Sequence, residues 1–381
     1  MTAARAPALG SLTGIRFIAA IFVFNGHVTP PPETGELAAG ISLAGHDWMT
    51  MFFILSGLIL TWNYDKLLGD RLTGHGLRTY FVARFARIYP LYILVLAVVL
   101  ISTVRVPGDI AVLLTSPATW AHVVAVQTWS GDLSVAYGLN GPAYSVGIEF
   151  FLYALFPLLL IPFRSIRSRP RALIVVAAVA ILLTFAMTAV TFPLGISDLP
   201  HTDPLSAHRW LYRTPLTRIP DFVLGVALGY LLVATRGQDL QRIGRILQII
   251  GGIAVLAGFL IPSLAFSLWS LDSANTIPFA LLLPGLVWAP DTRFARFLAS
   301  GPMLLLGESA YAFYLWHQPI VALVGRADAG LTAWVVTWIV GFVVSTLVAI
   351  GSHLAVERPV RNWLRFRLAG RGTREQLRRV S

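Results

Sequence analysis

Arg16 and His27 are the first groups in this sequence whose types and spacing could do chemistry, and both lie in one apolar run, Leu12 to Pro30 (LTGIRFIAAIFVFNGHVTP). On an α-helix their separation turns through about three full circles plus roughly 20° and rises about 16 Å, so the two side chains lie along one face at different depths. A neutral imidazole can take a proton from a hydroxyl or attack an activated acyl group itself. Two costly polar groups on one apolar stripe imply a polar interior track.

Four further groups carry chemistry. Arg78 precedes Arg84-Phe85-Ala86-Arg87-Ile88-Tyr89-Pro90; if the chain is already helical there, Arg84 and Arg87 share a face and form an anion site suited to the phosphates of a nucleotide or coenzyme. Ser145 and Glu149 stand i,i+4 in YSVGIEFFLY, where a carboxyl group near a membrane edge calls for a partner. His317 follows small, hydroxyl and aromatic residues in GESAYAFYLWHQP and is read as a packing residue; Glu357-Arg358-Pro359 is read as a cap or ion pair. His201 and His208 sit among aspartates, but their spacing specifies no metal site, and none is expected. No P-loop, dinucleotide fingerprint, nucleophile elbow or zinc-protease motif is present.

The elements that must position these groups follow from composition. Of 381 residues 56% are hydrophobic and 12% charged, with mean hydropathy +0.72; a soluble domain of that size would need a more polar surface. The expected fold is an all-α polytopic membrane protein of about ten transmembrane helices near 12–30, 45–63, 88–104, 142–163, 172–194, 218–235, 246–266, 275–290, 302–324 and 331–355. These make one transmembrane domain, 1–360, followed by a basic cytoplasmic tail, 361–381. The net charge of +11 is unevenly spread. Apart from Arg105, Arg209, Arg213, Arg218 and Arg326, the basic residues fall in the N-terminal segment, alternate connections and the tail, which predicts both termini inside. That distribution accounts for the charge through an anionic leaflet, with no nucleic-acid partner. Cysteine is absent, so disulfides and thiolate chemistry are excluded. Two outer connections, 105–141 and 195–217, are long enough to shape an acceptor site, the first as a re-entrant or interfacial segment.

In order along nearly the whole chain, LTGIRFIAAIFVFNGH, FFILSGLILTW, RFARIYPLY, YSVGIEFFLYALFP, YAFYLWHQP and ERP resemble the motifs of acyltransferase family 3, integral-membrane O-acyltransferases of bacteria. The resemblance implies that Arg16 and His27 belong to the catalytic core, with Ser145 and Glu149 matching the family's S-x-x-x-E. It also implies that Arg84 and Arg87, with Arg78 and Tyr89 beside them, hold an acyl-CoA donor, most simply acetyl-CoA. The implied acceptor is a hydroxyl of a sugar, glycan or glycosylated secondary metabolite such as a macrolide, and the implied site is the bacterial inner membrane. Tyr144 stands where the family often has Trp, and Trp48-Met49-Thr50-Met51 replace a polar residue with Gly. The hydrolase-like domain that many relatives carry is not expected here. The competing expectation is a transporter or flippase using Arg16 and His27 as an intramembrane polar site, although no pair of matching halves is visible. The acceptor's identity, the acyl length, the side of transfer and the oligomeric state are left open by the sequence.

Overall fold

The computed structural model describes residues 9–43, 45, 48–261, 267–271, 273–325 and 330–368. Arg326 and most of the basic tail, 369–381, lie outside them. Every regular element among the described residues is helical. The longer helices are α1 (Gly10–Gly26), α3 (Trp48–Tyr64), α4 (Gly74–Thr103), α8 (Tyr144–Phe163), α9 (Pro170–Thr191), α10 (Ile219–Ala234), α11 (Gln241–Leu260), α12 (Thr276–Trp288), α14 (Gly301–Val324) and α15 (Leu331–Ser352). Short helices α2 (Gly35–Leu43), α5 (Pro107–Thr115), α6 (Pro117–Val123), α7 (Leu133–Tyr137), α13 (Arg293–Leu298) and α16 (Arg358–Leu368) fill the connections.

Each expected span coincides with a long helix. Among the described residues six helical runs are long and apolar enough to cross a bilayer: the one containing α3, and Gly74–Thr103, Gly141–Phe163, Pro170–Thr191, Leu216–Ala234 and Leu331–Leu364. α1 and α12 are apolar but shorter. This is a multi-pass membrane protein. Exposed Ile174, Val175, Leu182 and Leu183 on α9, and Ile339, Val343 and Leu347 on α15, give those helices a lipid-facing surface.

Where helices meet deep in the bundle, glycines let the backbones touch. A Cβ at Gly225 would stand 1.9 Å from the Ile54 carbonyl oxygen, and one at Gly307 would stand 2.0 Å from that of Thr13. These two contacts bind α10 to α3 and α14 to α1, the close approach that small residues allow between membrane helices.

Two differences from the expected layout bear on the site. The third span is far longer than 88–104: α4 starts at Gly74, capped by the Thr73 side chain, and runs through Pro90. Arg84 and Arg87 are therefore on the helix itself, one turn apart. The 105–141 connection folds as a string of short helices, because Pro107, Pro117 and Pro142 restart the chain each time. Buried arginines fasten the outer connections. Arg213 donates to the carbonyls of Ser130 and Gly131, and Arg218, wholly buried, donates to those of Tyr212 and Leu271 and pairs with Asp221 at 3.3 Å.

Candidate active site

At the end of the bundle where α1 begins, helices α1, α3, α4, α8 and α14 enclose two adjoining cavities. The wider, about 220 Å³, is lined by Thr13, Asn63, Arg84, Glu308 and Arg361; the narrower, about 50 Å³, by Ser145, Tyr311 and Tyr314. Arg16, Phe52, Arg87, Glu149 and Tyr153 line both, so the pair forms one polar recess inside an apolar bundle. Arg84 donates to the Tyr64 hydroxyl at 2.9 Å, its guanidinium lying over the Tyr64 and Tyr153 rings at 5.1 and 5.8 Å. Its Nε is buried with no hydrogen-bond partner among the described residues. A buried charged donor without a protein partner is costly, which makes it an unused contact for an anionic ligand. Arg87 is paired with Glu357, a carboxylate that also meets His353 at 3.2 Å and Arg361 at 3.5 Å. The π-helical turn His353–Glu357 presents that carboxylate toward α4. Arginine is in excess here, which suits a polyanionic ligand.

His27 closes the other end of α1. Its backbone N–H caps the helix on the Phe24 and Asn25 carbonyls, and its Nδ1 donates to the Val23 carbonyl at 2.8 Å. That hydrogen bond assigns the tautomer and leaves the ring lone pair on Nε2. His317, buried on α14, puts its Nε2 3.3 Å from His27 Nδ1, while its own Nδ1 faces the Phe313 carbonyl at 3.3 Å. The segment is held from three sides. Trp338 donates to Asn25 Oδ1 and Trp334 to the Val28 carbonyl, Ser42 donates to the Asn25 carbonyl, and Gly26 meets Gly45 backbone to backbone. His27 then faces an outer cavity of about 290 Å³ together with Tyr137, Tyr144, His201, His208, Tyr212 and Gln318.

Tyr314 stands beside both Ser145 and His317. Its ring lines the recess and lies 5.9 Å from the His317 ring; its hydroxyl accepts from Ser145 at 2.8 Å and donates to the Pro142 carbonyl.

The structure thus brings Arg16, Arg84, Arg87, Ser145 and Glu149 around one recess and puts His27 beyond it. Glu149, expected to position His27 or the acceptor, lies with Arg16 and Arg87. Arg78 is exposed, and the Tyr89 hydroxyl donates to the Val123 carbonyl at 2.9 Å; neither lines the recess. Sequence reasoning assigned His317 to packing, which its place between Phe313 and Tyr314 agrees with, and missed its contact with His27. The usable signal was that Tyr314 and His317 stand i,i+3, two polar groups on one stripe of an apolar helix. Glu357 makes the ion pair expected of it. Among the described residues no group of three or more metal-ligating side chains converges.

A sequence profile of acyltransferase domains matches residues 9–354, nearly the whole bundle. The chain belongs to acyltransferase family 3. It is 26% identical over 344 residues to the acyltransferase MdmB of Streptomyces mycarofaciens, covering 87% of this chain and 83% of that one. It is 26% identical over 368 residues to the O-acetyltransferase OatA of Staphylococcus aureus, and 25% over 327 residues to the peptidoglycan O-acetyltransferase OatA of Listeria monocytogenes. The alignments span 57% and 49% of those two proteins. No solved structure matches the chain. As a family member the protein is an acyltransferase.

Proposed function

We propose that this protein moves a short acyl group, acetyl in the simplest case, from acyl-CoA to a hydroxyl of a sugar, glycan or glycosylated metabolite. It does so across the bacterial inner membrane, with both termini in the cytoplasm. What supports this reading is an arginine-lined recess at Arg84 and Arg87 and a second cavity at His27, which give a polyanionic donor and a hydroxyl acceptor separate places. The basic recess is at the end the charge distribution puts inside, so donor phosphates rest on Arg84 and Arg87 and the thioester points toward Tyr314.

In the transfer step the acceptor oxygen attacks the thioester carbonyl carbon while its proton passes to His27 Nε2. Collapse of the tetrahedral intermediate breaks the carbon–sulfur bond. CoA leaves as thiolate and takes the proton from the imidazolium, giving ester and free CoA. About 16 Å of helix separates Arg16 from His27, so Arg16 belongs to the donor side, where with Glu149 it orients the arm bearing the thioester. A preorganised positive group there also stabilises charge as it leaves the carbonyl.

The test is purified protein in lipid nanodiscs with labelled acetyl-CoA and a panel of hydroxyl acceptors. Wild type should release CoA and label an acceptor, and His27→Ala should lose transfer by at least about a hundredfold while still binding donor. Absence of both donor binding and CoA release, with solute accumulation in reconstituted vesicles, would establish a transporter instead.

A further inference from the structure

The outer cavity has walls of a particular kind. Tyr137 and Tyr144 meet edge to face at 5.3 Å, Tyr144 and Tyr212 lie 5.1 Å apart, and His208 continues the series at 5.2 Å from Tyr212 and 6.3 Å from Tyr137. His201, exposed and 6.0 Å from His208, marks the mouth. Two more polar groups line the same cavity: His27, and Gln318, whose Oε1 is buried with no hydrogen-bond partner among the described residues. Gly141 stands against that amide, and a Cβ there would lie 2.7 Å from Gln318 Oε1. The close fit holds the side chain in place, with its amide on the cavity lining.

We infer that this cavity is an acceptor subsite for one pyranoside ring, its apolar face against Tyr137 and Tyr212 and its hydroxyls toward Gln318 and His27. This rests on the acyltransferase reading and adds the acceptor's shape to it. The chemistry points to a ring sugar over an acyclic alcohol or a peptide. Flat aromatic walls match the planar C–H face of a six-membered ring, and the Gln318 carboxamide on the lining offers a polar contact for a ring hydroxyl. Among the described residues no Asp, Glu, Lys or Arg lines the cavity, which favours an uncharged acceptor. At about 290 Å³ the cavity sits at the lower limit of small-molecule sites. It takes a terminal sugar, free or on an aglycone left outside, and excludes an internal unit of a long glycan.

The supply of residues fits a working site. Tyr137 comes from α7, whose first turn is capped by Asp132; Tyr212 and His208 come from the π-helical turn His208–Arg213. Arg213, in that same turn, donates to the carbonyls of Ser130 and Gly131 beside Asp132, so the two walls are tied to one another.

Saturation-transfer NMR on nanodisc-embedded protein tests this without any need for turnover, using methyl α-glycopyranosides, the corresponding alditols and a glycosylated macrolide as probes. Expected are transfer to the ring C–H protons of the glycosides, little to the alditols, and affinity about tenfold weaker in Tyr137→Leu and in Gln318→Leu. Labelled acetyl-CoA binding by each variant shows that the bundle is intact, and Tyr137→Phe should retain glycoside affinity. Equal binding of alditols and glycosides, or unchanged affinity in both leucine variants, would overturn the subsite. Glycoside binding with no acetyl-CoA binding would instead uphold the subsite and sink the transferase reading.

Discussion

His317 Nε2 stands 3.3 Å from His27 Nδ1, although the two residues are 290 positions apart. His27 Nδ1 already faces the Val23 carbonyl, so its single proton is shared between a fixed backbone oxygen and a second imidazole. That arrangement ties down the Nδ1 side of the ring. On the proposed mechanism it also gives the imidazolium a polar neighbour able to take part of the charge.

On the proposed mechanism His317 is a positioning residue, and its removal should act on kcat. His317→Ala should lower kcat by about tenfold to a hundredfold with little change in either KM, and should shift the acid limb of the kcat–pH profile. His317→Gln, which keeps a polar group at the contact, should recover part of the loss. A purely structural role would instead lower thermal stability and leave the pH profile of the surviving enzyme unmoved.

Much of this site was legible in the sequence because membrane spans constrain what is allowed in them. Arg16, His27, Ser145 and Glu149 stand out as polar groups in apolar runs, and each lines one of these cavities. What was not legible are contacts between distant elements. Nothing local distinguishes Tyr212 from a packing aromatic, and Tyr314 and His317 show only a shared polar stripe, because their contacts arise where α14 and the turn at 208–213 meet α1 and α8. Arg78 and Tyr89 show the converse. Their positions beside Arg84 and Arg87 suggested one cluster, and helical rotation turns Arg78 to the surface and Tyr89 toward α6. The charge pattern placed Arg213 and Arg218 only by side of the membrane, whereas the structure makes both fully buried staples.

Arg87 and Glu357 provide a separable test of donor binding against stability. Arg87→Ala leaves Glu357 buried with a weaker set of partners, so it should destabilise the protein by about 3 kcal/mol, read as a lower thermal midpoint. The double variant Arg87→Met, Glu357→Met removes the orphaned charge and should regain most of that stability. Neither should restore acetyl-CoA affinity, which is expected to fall by about tenfold or more with each arginine lost from the recess. Full recovery of donor affinity in the double variant would restrict Arg87 to the ion pair.

His122 gives the fold an acid-sensitive joint outside the spans. It is fully buried, its Nδ1 donating to the Ala118 carbonyl at 2.9 Å, with Nε2 lacking a partner among the described residues. Burial holds its pKa below the ordinary value of 6.5. The unfolded chain then binds a proton more readily than the folded one, so stability falls as pH drops below about 6.5 and levels off below the folded pKa. His122→Phe should remove this component, cutting the loss of thermal midpoint between pH 7 and pH 5 by about 2–4 °C relative to wild type. Parallel acid profiles in the two proteins would count against it.

On the proposed mechanism Tyr314 stands between donor and acceptor, and its hydroxyl and ring can be tested apart. On that proposal the ring fills the way between them, while the hydroxyl ties it to Ser145 and the Pro142 carbonyl. Tyr314→Phe keeps the filler and loses the tie, so acetyl-CoA should remain protected from water while transfer slows several-fold. Tyr314→Ala opens that way, letting water from the outer cavity reach the thioester beside His27. Acceptor-independent hydrolysis of acetyl-CoA should then rise by about tenfold as transfer falls, because water exclusion is what suppresses that side reaction. CoA release followed with and without a glycoside reads both quantities in one experiment. Hydrolysis that stays at the wild-type level in Tyr314→Ala, in a protein that still binds acetyl-CoA, would mean that the thioester never approaches this ring and that the donor takes another route to His27.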